Sequence, residues 1–74
     1  MEPYQWEKYR RLGLNIAYYR RMQGLTQMEL AEQLNIDRTH MSRIESARTG
    51  VSLDLLFAIA HQLHVPVEKL FERE

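Results

Sequence analysis

Thr26-Gln27-Met28-Glu29-Leu30-Ala31-Glu32-Gln33-Leu34-Asn35-Ile36-Asp37-Arg38-Thr39-His40-Met41-Ser42-Arg43-Ile44-Glu45 decides the fold of this chain. Thr26 stands before an apolar-periodic run, and Glu29 follows three residues later, the pairing of a helix-capping box. Leu30, Ala31 and Leu34 then recur at helical steps and fall on one face. Asn35 tolerates the left-handed backbone that ends a helix, and Ile36 seals the underside of the turn. Asp37 caps a following helix predicted to run to about residue 46, with Met41 and Ile44 on its buried side. Ala31 supplies the small side chain needed where these two helices cross closely. Left on the outer face of the later helix are Arg38, Thr39, Ser42 and Arg43.

The same period extends outward in both directions. A first helix is predicted over about residues 6–23, with Leu12, Ile16 and Tyr19 facing inward. Gly24 ends it, because glycine takes the left-handed conformation without steric cost. Gly13 lies inside this helix and weakens the prediction for its N-terminal half. Ser52 caps a helix carrying Leu53, Leu56, Ile59, Ala60 and Leu63 inward, and Val65-Pro66 breaks it. A short fifth helix over about 67–71 is expected to close the core with Leu70 and Phe71. The chain therefore reads as an all-α bundle of five helices, one domain spanning 1–74, with an N-terminal arm over about 1–8 and the central motif over about 26–46. It has no repeats and no low-complexity stretch.

Composition narrows the function classes. The 74 residues contain no cysteine, so disulfides and thiolate metal sites are excluded together. No apolar run approaches the ~20 residues of a membrane helix, and the acidic, aromatic start does not resemble a signal peptide. A cytoplasmic protein is expected. Formal net charge is +0, but its distribution is uneven. Residues 10–48 carry seven arginines against four acids, whereas 49–74 carry two bases against four acids. Such asymmetry is compatible with one basic face. No nucleophile motif and no glycine-rich phosphate loop occur, so neither an enzyme nor a bound cofactor is expected. His61 and His64 stand three apart, but no third ligand accompanies them, and histidines of core or surface are the simpler reading. Tyr18 and Tyr19 read as helix-packing aromatics rather than as base-stacking platforms.

The run Leu25-Thr26-Gln27-x-x-Leu30-Ala31-x-x-Leu34, followed by Asp37-Arg38-Thr39-x-Met41-Ser42-x-Ile44-Glu45, resembles the phage Cro/repressor (XRE-type) helix–turn–helix family. The likeness continues through Ser52-Leu53-Asp54-x-Leu56, Ile59-Ala60, Leu63, Val65 and Leu70-Phe71. It implies a sequence-specific regulator of bacterial or phage origin, binding double-stranded DNA as a homodimer with its third helix in the major groove. By this resemblance Gln27 meets a phosphate and steadies a base-reading side chain. Arg38, Thr39 and Arg43 occupy base-reading positions. Arg38 suits guanine O6 and N7, Thr39 offers a methyl or a hydroxyl, and Arg43 reads a base or grips a phosphate. His40 and Ser42 are candidate backbone contacts, and Arg48 lies in a loop that meets phosphates. Arg20 and Glu45 match a buried ion pair, which would withdraw Arg20 from the DNA-facing charge.

The loop after the third helix departs from the family. Where relatives often carry glycine and proline, this chain has Ala47 and Val51, with Gly50 one place before the latter. Trp6 and Tyr9 precede the shared region and either extend the core or pack against a second subunit. Controller proteins of restriction–modification systems, small phage repressors and antitoxin-type regulators all look similar. A rival reading is a protein-interaction module on this fold, with an unknown protein partner and weak or no specific DNA binding.

Overall fold

The computed structural model describes residues 2–72. Pro3 opens the first helix, α1 (Pro3–Met22). Proline suits a first helical position because its ring presets φ and the missing N–H would be unpaired there anyway. The side chain of Gln5 accepts the Glu2 N–H at 3.2 Å, which steadies the start. Residues 3–8, expected as an arm, are thus the first turns of α1; Met1 lies outside the described residues.

Three further α-helices follow, α2 (Gln27–Leu34), α3 (Arg38–Glu45) and α4 (Leu53–Leu63), each begun by a side-chain oxygen. Thr26 accepts from Glu29 N, Asp37 from His40 N and Ser52 from Leu55 N. All four helices end in the same way. The residue after each last turn has positive φ: Gly24 at 73°, Asn35 at 58°, Ala47 at 60° and His64 at 59°. The next amide then reaches back to the carbonyl five residues earlier: Leu25 to Arg20, Ile36 to Ala31, Arg48 to Arg43 and Val65 to Ala60, at 2.9–3.1 Å. This Schellman closure pairs carbonyls that would otherwise be orphaned.

Five α-helices were expected, and the fifth element is instead a 3₁₀ turn over Val67–Phe71. Pro66 precedes it, and Lys69 N bonds back to Pro66 O across three residues at 3.0 Å. The Asn15 side chain then takes the carbonyls of Leu70 at 2.8 Å and Glu72 at 2.7 Å, so the last turn is strapped to α1 rather than extended. In a 3₁₀ turn successive side chains point about 120° apart. With Leu70 fully buried, Phe71 must turn outward, and it is 49% exposed rather than closing the core. Leu53, also expected inside, lies on the first turn of α4 beyond the core's edge and is exposed.

The core joins Leu12 and Ile16 of α1, Leu30 and Ala31 of α2, Met41 and Ile44 of α3, and Leu56, Ile59, Ala60 and Leu63 of α4, closed by Leu70. Tyr9, Tyr19, Leu34 and Ile36 pack against it from the rim. Gly13 explains how α1 approaches α3 so closely. A Cβ there would lie 2.7 Å from the Ile44 carbonyl oxygen and closer still to that of Glu45. The glycine is a contact surface, not a flaw in the helix. Tyr18 and Tyr19 meet edge to face with centroids 5.1 Å apart, which is an aromatic packing contact. Among the described residues no helix is long and apolar enough to cross a membrane.

Candidate nucleic-acid interface

The eight residues of α3 begin at an Asp37 cap whose carboxylate takes the His40 N–H at 2.7 Å. Burial of Met41 and Ile44 fixes the helix's rotation. At about 100° per residue, the opposite side must then present Thr39 and Arg43, flanked by Arg38 and Ser42. Those four, with Ser46 and Arg48, line one open concave surface. Arg38, Thr39 and Arg43 are exposed, and Ser42 is half-buried. Three guanidinium groups therefore share a surface to which no acid contributes. His40 does not line that surface; it sits on the flank of α3, half-buried. Ser46 was not singled out from the sequence, although it lies one turn beyond Ser42 and continues the same face. Its hydroxyl donates to the Ser42 carbonyl at 2.9 Å, so it is tied to the end of α3.

Arg48 owes its place to the turn that ends α3. Its backbone N–H reaches the Arg43 carbonyl at 2.9 Å once Ala47 takes the left-handed conformation. Alanine thus adopts a geometry that favours glycine, at a cost of roughly 1 kcal/mol. Burial of its methyl group, 4% exposed, offsets part of that. Further along the loop, Gly50 lies under the Tyr9 hydroxyl, to which an added Cβ would stand at 3.3 Å. Tyr9 therefore belongs to the packed structure. Trp6 stays outside, with the Arg10 guanidinium 5.9 Å from its ring centroid.

Arg20 is turned inward. Its Nε donates to Glu45 Oε2 at 2.7 Å and its Nη2 to Glu45 Oε1 at 3.0 Å, a two-pronged pair between almost fully buried side chains. Its Nη1 donates to the Leu25 carbonyl at 2.8 Å. Arg20 adds nothing to the exposed charge, and Glu45 is neutralised next to the arginine surface. Gln27, the first residue of α2, bridges this pair and the surface. Its Nε2 donates to Glu45 Oε1 at 2.9 Å, and its Oε1 stands 3.5 Å from Arg38 Nη1.

A second surface shares no lining residue with the first. Tyr4, Leu53 and Phe71 are exposed and border a shallow apolar groove floored by Leu12 and Leu56, with Phe57 one turn along α4 from Leu53. His61 is exposed on α4, and His64 ends that helix with its left-handed backbone.

Comparison with known proteins agrees with this architecture. The family model described as "Helix-turn-helix" matches residues 16–70. The chain is 33% identical over 63 residues to the control protein C.SmaI of Serratia marcescens, covering 85% of this chain and 75% of that protein. It is 35% identical over 63 residues to the immunity repressor protein of Bacillus phage phi105, covering 85% of this chain and 44% of the repressor. Among solved structures, the restriction-modification controller protein C.AhdI from Aeromonas hydrophila superposes with a TM-score of 0.81 at 27% identity, covering 85% of this chain and 96% of C.AhdI. The matched residues take in α2, the turn at Asn35 and α3, and the chain belongs to the helix–turn–helix family of DNA-binding transcription regulators.

Proposed function

We propose that the chain regulates transcription by laying α3 in the major groove of an operator, as one half of a two-fold dimer. The observation that carries this reading is the acid-free surface lined by Arg38, Arg43 and Arg48 along the exposed side of α3. The major groove alone is wide enough for a helix and chemically rich enough to distinguish all four base pairs. Arg38 and Thr39, at the N-terminal end of α3, read base edges, and Arg43 reads a base or grips a phosphate. Ser42 and Arg48 contact the backbone, while His40, on the flank, reaches at most an adjacent phosphate.

Dimerisation follows from economy. One such helix covers about half a turn of duplex, and operators commonly mirror a protein two-fold. The exposed Tyr4, Leu53, Phe57 and Phe71 provide an apolar face for the second copy. The protein would act where its DNA is, in the cytoplasm of a bacterium or of a phage-infected cell.

Selection from a random duplex pool, at two salt concentrations, for the native chain and Arg38→Ala, tests the reading. The expected result is enrichment of a two-fold symmetric site, affinity that falls steeply with salt, and altered base preference in the variant. Weak binding that no sequence enriches, unchanged by the substitution, would refute it and point to a protein-interaction module.

A further inference from the structure

We propose that the outer side of α1 docks an acidic amphipathic helix of a partner protein. The proposal stands apart from the DNA reading of α3.

Its first support is a ridge of large apolar side chains in solvent. Trp6, Leu14, Tyr18 and Met22 are 46%, 54%, 45% and 68% exposed. Together with Arg10 they follow one another at steps of four, a single ridge on the helix surface. It runs for about 24 Å at 1.5 Å per residue. Gly13 faces the end of α3 at contact distance, and Leu14, the next residue, stands about 100° round the axis from it. The outer side of α2 is built differently. Its exposed residues are Glu29, Glu32 and Gln33, with Met28 the one large apolar side chain. A helix that meets only water has the make-up of α2, not of α1.

The second support is charge. Arg10 stands in the ridge, Arg11 and Arg21 stand beside it, and Glu7 is the one acid on that side of α1 among the described residues. The ion pairs among the described residues are Arg20–Glu45 and Lys69–Glu72, so these three arginines keep their charge for a partner. Near its N-terminal end the ridge borders a groove of about 530 Å³, lined by Trp6, Arg10, Arg11 and Leu14 of α1 and by Glu72 beyond the 3₁₀ turn. Lys69 meets the Glu72 carboxylate at 3.4 Å, which keeps that acid from cancelling the arginines.

Ridge, groove and charge together select the occupant. Duplex phosphates would pair with the arginines but leave Leu14, Tyr18 and Met22 wet. A second copy meeting the same patch across a two-fold would set arginines against arginines. A bilayer surface is flat and would not fill the groove. A helix whose apolar stripe is flanked by carboxylates answers all three features: its side chains interdigitate with the ridge, and its acids meet the arginines. The groove shares no lining residue with the arginine surface of α3 or with the apolar groove bordered by Tyr4 and Phe71. DNA, a second copy and this partner are therefore served by separate side chains.

Two synthetic helices of about 18 residues test the proposal, both with leucines at steps of three and four, one with glutamates beside them and the other with lysines. Calorimetry on the full native chain gives their affinities, and the emission of Trp6, the single tryptophan, reports whether the ridge is covered. The glutamate helix is expected to bind at least about tenfold more tightly than the lysine helix and to shift Trp6 emission to the blue. Leu14→Gln and Arg21→Glu, each with native helicity, should weaken it about fivefold or more, whereas Arg43→Ala on α3 should leave it unchanged. Equal affinity for the two helices, or no binding of the glutamate helix, would overturn the proposal. Loss with Arg43→Ala but not with Leu14→Gln would also overturn it, by placing the acids on the α3 surface. So would a blue shift produced by phosphatidylglycerol vesicles, or by rising protein concentration alone, where the glutamate helix produces none; the ridge would then belong to a membrane or to a second copy.

Discussion

One added methyl group tests the packing of the molecule most directly. In an exposed helix, replacing glycine with alanine stabilises by about 1 kcal/mol, because alanine is the better helix former. At Gly13 the opposite outcome is expected. The new Cβ would stand 2.7 Å from the Ile44 carbonyl oxygen and 2.8 Å from the Glu45 carbonyl carbon, where ordinary contact begins near 3.4 Å. All of these neighbours are backbone, so no side chain can swing aside. Either α1 retreats from the end of α3 by more than about 0.7 Å or the last turn of α3 deforms. Forcing an extra methyl into such a site costs about 1–3 kcal/mol, and the rigid neighbours put this case at the upper end. After the propensity gain, a net loss of about 1–2 kcal/mol remains. For a domain of this size that lowers the melting temperature by roughly 5–15 °C, measurable by circular dichroism in parallel with urea unfolding. Gly24→Ala is the control for backbone strain alone, since nothing lies within 4 Å of the added atom and the cost comes from φ of 73°. A Gly13→Ala protein as stable as the native chain, or more so, would refute the close crossing of α1 and α3.

Three further outcomes follow from single contacts. Glu45→Ala strands the Arg20 guanidinium in the core and should cost about 3–5 kcal/mol in urea unfolding, enough to unfold a domain whose whole stability is of that order; a loss below about 1 kcal/mol would show the pair to be dispensable. His64→Gly relieves a left-handed residue with an exposed side chain and should gain about 0.5–1 kcal/mol, whereas Ala47→Gly should gain nothing because it also removes a buried methyl worth about 0.8 kcal/mol; equal gains at both sites would count against this. The Glu29 carboxyl is held below the usual carboxylate range, first by the Thr26 backbone N–H and then by the Thr26 hydroxyl, so its contribution is complete above the ordinary value and disappears as pH falls through the lowered one. NMR titration should find that low pKa in the native chain and a smaller depression in Thr26→Ala.

What the sequence disclosed was local. Thr26, Asp37 and Ser52 announce helix starts because a short side-chain oxygen before an apolar run has one favourable use there. Gly24 and Asn35 announce ends because few residues accept positive φ cheaply. Ala47 and His64 end helices in the same way without announcing it, the first with its methyl buried and the second with the Val65 N–H bonded back to the Ala60 carbonyl. The fifth element escaped the periodicity because Pro66 and the Asn15 strap make it a 3₁₀ turn, and a run of five residues is too short to separate periods of 3.0 and 3.6. Phe71 and Leu53 follow the apolar pattern into solvent because apolar character alone does not say where the core stops. The Arg20–Glu45 contact joins residues 25 apart on different helices; no spacing rule links them, and only the family resemblance pointed to it.

The zero net charge is the feature most easily misread. Four acids stand among the seven arginines of residues 10–48, and a simple count would let them dilute any basic surface. Glu32 is exposed but does not line the arginine surface, and the hydrogen bonds of the other three show otherwise. Glu29 takes the Thr26 N–H, Asp37 takes the His40 N–H, and Glu45 is turned inward onto Arg20 and Gln27. Two of these acids are thus spent on helix N-termini, where the backbone itself is electropositive and favours them. The third neutralises an arginine that never reaches the surface. Each use satisfies a folding requirement, and together they leave Arg38, Arg43 and Arg48 without an acidic neighbour on the surface they line. The basic face is produced by where the acids are bonded, not by an excess of bases. A family member with neutral composition can therefore present the same electrostatic surface as a strongly basic one, provided its acids cap helices and fill the buried pair.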